Sequence, residues 1–398
     1  MSDFLSLSKV QRLACLSITG AMKSTPTASM EALLDLPPLH IVIQAEARMG
    51  LYRQQSVLSL GNRTETGHSK MGNPIGGPLL QMRSDQMTPL YHYHKPFEVN
   101  KMDRGMWTDI TFLQDGLTWY TDGSKTAEGT GAGVFGERPR ASLSFSLDKH
   151  STVFQTEIFA ILQCARENNR RAYSDKLINI CSDSQAALGA LMSPKVSSRL
   201  VWECLGELEA LARRNRIKLF WVPGHSGIQG NEKADELARQ GSSASYLGPE
   251  PVLGIPKCMA RSALKLWIRE KQNVHWRNRQ GHRHSKAFIQ GPSSKTAKEL
   301  LMLSRNKVRI TTGLLTGHMA VKCYLNKLNL YQGSLCCRLC DKDPETAEHI
   351  ICHCEALDRK RHFLFGKARL EPEELCSHPI KDLHKLVQGT GIGEWVQI

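Results

Sequence analysis

The sequence predicts an α/β domain built on a five-stranded mixed sheet flanked by helices, with a helical segment before it and a small, mostly helical region after it. Three observations carry this. Residues 115–242 show three apolar runs of strand period at hairpin spacing, followed by regular alternation of strand and helix patterns. Gly, Pro, Ser and Thr thicken at Gly61 to Pro78 and at Gly241 to Pro256, which brackets that block with linkers. A chain of 398 residues, 41% hydrophobic and 23% charged, has a globular composition and length enough for two to three domains. The expected organisation is a helical segment at 1–60, a linker at 61–114, the α/β block at 115–242, a second linker at 243–256 and a basic helical region at 257–398.

In the first segment, Val10, Leu13, Ala14 and Ile18 have helical spacing. A second helix is expected at Met30 to Leu36 and a third from His40 to Tyr52, after the Pro37-Pro38 break. Sixty residues bury only a small core, so this segment is expected to lean on another part of the chain. In the α/β block, Trp119 to Ser124, Gly131 to Phe135 and Ala141 to Leu147 read as a three-stranded meander. Helix Val153 to Asn168, strand Leu177 to Asp183, helices Ser184 to Met192 and Arg199 to Asn215, strand Ile217 to Val222 and helix Asn231 to Gln240 follow. A meander continued by α/β crossovers gives the mixed sheet.

No run of eighteen apolar residues occurs, and Met1 to Cys15 lacks a basic leader with an unbroken apolar core. A membrane span, a membrane partner and secretion are therefore not expected; the nucleus or cytoplasm is. Twelve cysteines in a reducing interior read as thiols, and close Cys and His spacings there point to metal. The net charge of +14 is concentrated. Residues 257–309 hold fourteen Lys or Arg against Glu270 and Glu299, an excess of +12. Trp267, Trp276 and Phe288 interleave with these cations, a pattern that suits a nucleic-acid strand, since cations meet phosphates and rings stack on unpaired bases. An amphipathic helix with Leu264, Trp267 and Ile268 on its buried face is the alternative, and the two are compatible.

Four carboxylates stand where a core or a turn gains little from them. Asp122 and Asp183 end apolar strands, the edge at which α/β sheets place ligands. Glu157 lies among Phe154, Ile158, Ile161 and Ala165 on the buried face of its helix, where a carboxylate needs a cation. Asp235 opens the last helix. Each has a structural reading of its own: a turn former, the N-cap for Ser184 onward, a partly exposed helix residue, a solvated first-turn acid. Gathered in one small domain they would repel one another without metal. Such clusters hold two divalent ions about 3.5 to 4 Å apart for phosphodiester hydrolysis, and hard oxygen ligands favour Mg²⁺ or Mn²⁺. His225, in the loop Pro223-Gly224-His225-Ser226-Gly227, could move a proton or aid product release, since imidazole titrates near neutrality when unperturbed. A triad of His225 with Ser226 or Ser124 lacks any Gly-x-Ser-x-Gly elbow.

Tyr120-Thr121-Asp122-Gly123-Ser124, Gln155-Thr156-Glu157, Ser182-Asp183-Ser184-Gln185-Ala186, and Trp221 to Gly227 followed by Asn231-Glu232-Lys233-Ala234-Asp235 resemble type 1 ribonuclease H over residues 116–242. The resemblance implies Asp122, Glu157, Asp183 and Asp235 as metal ligands, His225 as the auxiliary residue, Gly123 and Ser124 at the nucleic acid, and an RNA-DNA hybrid as substrate. Hydrolysis would leave 5′-phosphate and 3′-hydroxyl ends with little sequence preference, because such hybrids are recognised by shape and 2′-hydroxyls. Lys9 to Leu13, Ile18 to Ala21, Thr25 to Ala28 and Leu36 to His40 resemble the segment after the reverse transcriptase in non-LTR retrotransposon polyproteins. The transcriptase's aromatic-x-Asp-Asp motif occurs nowhere in the sequence, so the chain is expected to be the C-terminal part of such a polyprotein. A catalytically idle nucleic-acid-binding remnant is the rival, which loss of a carboxylate would favour; all four are present. An integrase or transposase of the same fold is disfavoured by the His225 loop and Asp235.

Within 336–355, Cys337-x2-Cys340-x8-His349-x4-Cys354 offers ligands for one tetrahedral Zn²⁺ and resembles the zinc knuckle-like element of the same polyproteins. Cys336, Cys352 and His353 leave the assignment open by one position, and buried free thiols are the alternative. His318 reads as a structural or capping residue.

Overall fold

The computed structural model describes residues 2–58, 82–100, 115–248 and 252–392. They divide into two compact units, Arg48–Leu264 and the pair of segments Met1–Ala47 and Lys265–Ile398. Helices α1 (Ser2–Thr19), α2 (Thr27–Leu33) and α3 (Leu39–Leu58) open the chain. Strands β1 (Gln86–Tyr91) and β2 (Phe97–Asn100) precede the meander β3 (Leu117–Lys125), β4 (Thr130–Arg138) and β5 (Ala141–Leu147). Then come α4 (Val153–Arg170), β6 (Leu177–Ser182), α5 (Gln185–Met192), β7 (Lys195–Ser198), α6 (Arg199–Ala212), β8 (Arg216–Trp221) and α7 (Gln229–Ser243). The remaining helices are α8 (Lys257–Asn278), α9 (Arg283–Phe288), α10 (Ser294–Leu301), α11 (Arg305–Thr316), α12 (Lys322–Lys327), α13 (Asp358–Phe365) and α14 (Ile380–Val387).

The main sheet has the order β2-β8-β6-β3-β4-β5. It has six strands rather than the expected five, because β2 adds to β8 in parallel, Phe97 opposite Ile217 and Asn100 opposite Phe220. A separate ladder pairs β1 with β7, Leu90 opposite Val196. Both additions fall in the stretch expected as linker. Pro89 inside β1 and Pro96 just before β2 break the strand signal, and proline is tolerated on edges such as these. Residues 61–81, 101–114 and 249–251 of the expected linkers lie outside the described residues. The described parts are pinned: Ser84 bridges Ile255, the Tyr52 hydroxyl donates to the Ile255 carbonyl at 2.8 Å, and Gln155 Nε2 donates to the Gly254 carbonyl at 3.0 Å.

Strand alternation splits the core in two. Trp119, Val134, Ile178, Ile180, Ile217 and Leu219 face α4 and α6, whose Ile158, Ile161, Leu205 and Leu208 complete that layer. Tyr120, Phe135, Cys181 and Phe220 face the other way, onto Ile228 and Ala234. Here α7 lies directly on the sheet backbone. A Cβ on Gly133 would stand 2.1 Å from the Ala234 carbonyl oxygen, and one on Gly230 2.1 Å from the Tyr120 ring.

In the other unit, the expectation that the first segment leans on something else is met by one continuous core. Cys15, Met30 and Leu33 share it with Trp276, Phe288, Leu300, Leu314, Ile350 and Leu386. Trp276 and Phe288 are therefore core residues, each 4% exposed, and are not available to stack on bases. Trp267 is half-buried, with the Lys271 ammonium 5.9 Å from the centre of its ring. Of the residues expected on the buried face of an amphipathic helix, Trp267 and Ile268 are half-buried here, and Leu264, which belongs to the ribonuclease unit, is buried.

The close seat of α7 on the sheet leaves no room for a side chain at Gly133. Gly133→Val should lower the stability of the ribonuclease unit by about 1–3 kcal/mol or more, because the obstruction is backbone and cannot yield. Gly206→Ala in α6, with open space around it, should be neutral or slightly stabilising. Thermal melting of both variants checks the pair; equal behaviour would contradict the packing described.

Candidate active site and zinc element

The register of the sheet builds the acidic site. β3 pairs with β6 only up to Thr121 opposite Ser182, while its pairing with β4 runs on to Lys125. Asp122 and Asp183 are thus the first residues past the end of one parallel ladder, on adjacent strands. Asp122 lies within β3 rather than at its end. Ser184, not Asp183, caps α5, its hydroxyl accepting from the Ala187 N–H at 3.3 Å, which leaves the Asp183 carboxylate to the site. Glu157 arrives from α4, whose start is fixed by a capping box of Thr152 and Gln155. It reaches the sheet because Gly123 has no side chain: a Cβ there would stand 2.4 Å from Thr156 Oγ1 and 2.6 Å from the Glu157 nitrogen.

Asp122, Glu157 and Asp183 each offer an oxygen, and the three lie within 4.8 Å of one another. Asp122 is 7% and Glu157 5% exposed. Desolvation, followed by the Asp183 and Asp235 charges, pushes the Asp122 carboxyl up to about 7. Desolvation and the neighbouring Asp122 charge raise Glu157 strongly, and Asp183 is raised by burial as well. Glu157 Oε2 is buried and meets no hydrogen-bond donor among the described residues. A buried oxygen with no hydrogen-bond partner beside two further carboxylates fits a divalent cation.

Asp235 is not among the three converging acids. It lies in the second turn of α7, since the helix begins at Gln229, and its carboxylate is hydrogen-bonded to Arg239 one turn on. It is near enough to raise the other three carboxylates by charge. His225 is exposed and has φ +51°, with Gly227 at +77° after it. Its loop presses on the site: a Cβ on Gly224 would stand 2.7 Å from Asp183 Oδ2. The His225 charge acts on Asp183 in the opposite sense to burial, lowering its pKa. Gly123 and Ser124 are half-buried next to Asp122.

Two residues of this site carry no signal that residue type alone reveals. Asn231, 3% exposed, hydrogen-bonds the Asp183 carboxylate, and the Trp221 indole donates to the Asp183 carbonyl at 3.0 Å. Both lie within the motifs that resemble ribonuclease H, yet only the fold brings them to Asp183.

The second candidate centre is equally defined. Ligand atoms of Cys337, Cys340, His349 and Cys354 all lie within 4.8 Å of one another, so Cys336, Cys352 and His353 are not members of the group. Cys337 Sγ is 3.8 Å from Cys354 Sγ, and Cys340 Sγ 3.4 Å from His349 Nε2. A zinc tetrahedron with arms of about 2.0–2.3 Å has edges of about 3.4–3.8 Å, which these two separations match. The other ring nitrogen, Nδ1, faces the Asp343 carboxylate at 3.8 Å. The Leu339 N–H points at Cys337 Sγ at 3.4 Å. Burial opposes ionisation of Cys340, yet the Lys342 and Asp343 amides and the two neighbouring thiols bring it below the usual thiol range. Burial and the Cys337 charge push Cys354 up to about 12. Around the group, buried Glu345 takes a two-pronged bond from Arg338 at 2.7 and 2.9 Å, and fully buried Arg361 donates to the carbonyls of Ile350 and Cys354. This Cys3His cluster fits a zinc knuckle. His318, expected as a structural or capping residue, has its Nδ1 2.5 Å from the Tyr324 hydroxyl and is not one of the converging ligands.

A mixed sheet with acids at the end of its central strands, backed by helices on both faces, is the framework of a metal-dependent nuclease. Residues 114–243 match the RNase H family model. The middle of the chain is accordingly a ribonuclease H domain, an enzyme of RNA-DNA hybrids whose family uses divalent metals.

The raised carboxyls make the stability of this domain depend on pH. Between an unfolded pKa of 3.8 and a folded one of about 7, the folded state holds a proton on Asp122 that the unfolded state has lost. Stability of the metal-free domain therefore falls as pH rises across that window. In chelator, the melting temperature should be lower at about pH 8 than at about pH 5, Mg²⁺ should restore more of it at the higher pH, and Asp122→Asn should flatten the difference.

Proposed function

We propose that the ribonuclease H domain cuts the RNA strand of RNA-DNA hybrids with two divalent ions, Mg²⁺ or Mn²⁺, within the replication machinery of a non-LTR retrotransposon. The observation that carries the nuclease reading is the donorless, buried Glu157 oxygen beside Asp122 and Asp183. When bound, the ions supply Lewis acidity and charge neutralisation at this cleft. Asp122 and Asp183, fixed by strand register, hold the cluster from the sheet; Glu157 closes it from α4. Asp235 completes the ligand set by leaving Arg239, an exchange of one exposed ion pair that costs little. Asn231 holds the Asp183 carboxylate in orientation. His225, exposed on its glycine-flanked turn, moves a proton at its ring nitrogens between cleft and solvent. The transposon role is supported by the resemblance of residues 9–40 and 116–242, and it carries an expected location in the nucleus or cytoplasm.

Asp183→Asn tests the nuclease. It keeps side-chain shape and removes a charge, so hybrid cleavage in Mg²⁺ should fall to background while hybrid binding persists. His225→Ala should slow turnover without abolishing it. Wild-type cleavage by Asp183→Asn, measured on a labelled hybrid beside single-stranded RNA and duplex DNA, would overturn the assignment.

We further propose that Cys337, Cys340, His349 and Cys354 hold one structural Zn²⁺. Thiolate and imidazole ligands select zinc over magnesium, which makes the two centres chemically separable. Purified chain should contain about one zinc by elemental analysis and Cys340→Ser should lose it. Hybrid cleavage should return with Mg²⁺ alone after zinc is stripped. Unchanged zinc content in Cys340→Ser would leave a cluster of buried thiols.

Other nucleic acid is proposed to bind through the exposed cations of 257–309, by charge and without the buried Trp276 and Phe288. Lys295, Lys298 and Lys307 are exposed. Replacing all three with Gln should flatten the slope of log affinity against log salt by about 2 for a single strand, since each phosphate contact contributes about 0.7. An unchanged slope, read by fluorescence anisotropy over a salt series, would leave these residues as a solvated face.

A further inference from the structure

In the unit formed by the N- and C-terminal segments lies a recess of about 290 Å³ between α1, α2, the start of α3 and the turn after α8. Pro26, Pro38 and Leu39 give it apolar walls, and its polar groups include Glu31, His40, His275, Arg279 and His282. Glu31 and His275 are incompletely matched. Glu31 is 7% exposed, and His275 Nε2 stands 3.6 Å from its Oε2, beyond hydrogen-bond reach. The same nitrogen receives the Arg279 Nε–H at 3.4 Å, so a single imidazole nitrogen faces both an anion and a cation and engages neither closely. The His40 ring lies 5.8 Å from that of His275. Burial holds His40 and His282 below the usual imidazole value, which leaves them neutral donors and acceptors with flat apolar faces.

The chemistry of this recess is two-ended. An exposed guanidinium and imidazole N–H groups suit an oxyanion such as phosphate. A buried carboxylate suits paired N–H donors, such as those on the edge of a base. Proline, leucine and imidazole faces suit a planar ring. A metal ion is a poorer match, because the described groups whose ligand atoms all converge within 4.8 Å are the two already assigned, and a guanidinium stands here. The volume lies near the lower limit of ligand sites, about 300 Å³, which restricts the occupant to one small unit. We propose that this recess binds a single nucleotide, with its phosphate at Arg279 and His282 and the N–H donors of its base toward Glu31. Guanine, which presents two adjacent donors, is preferred over uracil, which presents one.

The test uses the full chain without divalent metal, titrated calorimetrically with guanosine and uridine 5′-monophosphates. Guanosine monophosphate should bind about tenfold tighter than uridine monophosphate, the discrimination of one two-pronged contact. Arg279→Gln, at an exposed position, should weaken guanosine monophosphate binding about tenfold or more. Glu31→Gln should abolish the preference between the two bases while cleaving hybrid in Mg²⁺ at the wild-type rate. Oligothymidylate with and without a terminal guanylate separates the sources: a gain from the guanylate identifies a strand end, and its absence with mononucleotide binding intact identifies a free nucleotide. No binding of either monophosphate at millimolar concentration, or undiminished binding by a folded Arg279→Gln chain, overturns the proposal. So does uptake of a second zinc in place of the nucleotide.

Discussion

Repulsion among buried carboxylates is the constraint on which the ribonuclease domain depends. Asp122, Glu157 and Asp183 each have raised pKa values, with burial as the largest cause and neighbouring acids adding to it. A fold selected for stability alone would replace such a group with apolar residues. A cationic partner would offset the repulsion, and the surrounding structure is arranged to make the gathering possible. The sheet register aligns two acids, a missing Cβ at Gly123 admits the third, and bare glycines at 131 and 133 let α7 settle onto β4 with Asp235 at hand.

The Cys3His group meets a different constraint with softer atoms. The element around it has few strands or long helices, and its polar frame is buried: Glu345 and Arg361 are both fully inaccessible. Buried charges of this kind hold only when their lone pairs and protons are used, and here backbone amides and carbonyls use them. Four ligand atoms within 4.8 Å of one another would let a bound metal tie such a frame, since metal binding energy becomes folding energy in small domains.

Much of this was legible in the sequence, and what was not had physical reasons. The meander, the crossovers and the burial of Glu157 followed from periodicity, because strands and helices of a two-layer core print their faces in the apolar pattern. β1 and β2 did not, since short edge strands next to Pro89 and Pro96 carry no alternation long enough to read. The Cys and His spacing left three possible neighbours open; only the three-dimensional approach of Cys354 to Cys337 selects among them. Trp276 and Phe288 sat amid cations and suggested stacking surfaces, yet their partners in the core come from residues far away in the chain, among them Met30 and Leu33. Asn231 and Arg239 act on the acids through contacts that composition does not encode.

Whether the carboxylate cluster takes up a cation decides what the domain does. The most direct measurement is Mn²⁺ uptake at neutral pH, followed by loss of the free-ion paramagnetic resonance signal, for wild type and Glu157→Gln. Glu157→Gln keeps the side-chain shape while removing the charge at the donorless position. Saturable uptake by wild type that is lost or strongly weakened in the folded variant is the result expected; equal uptake by the two proteins would contradict it.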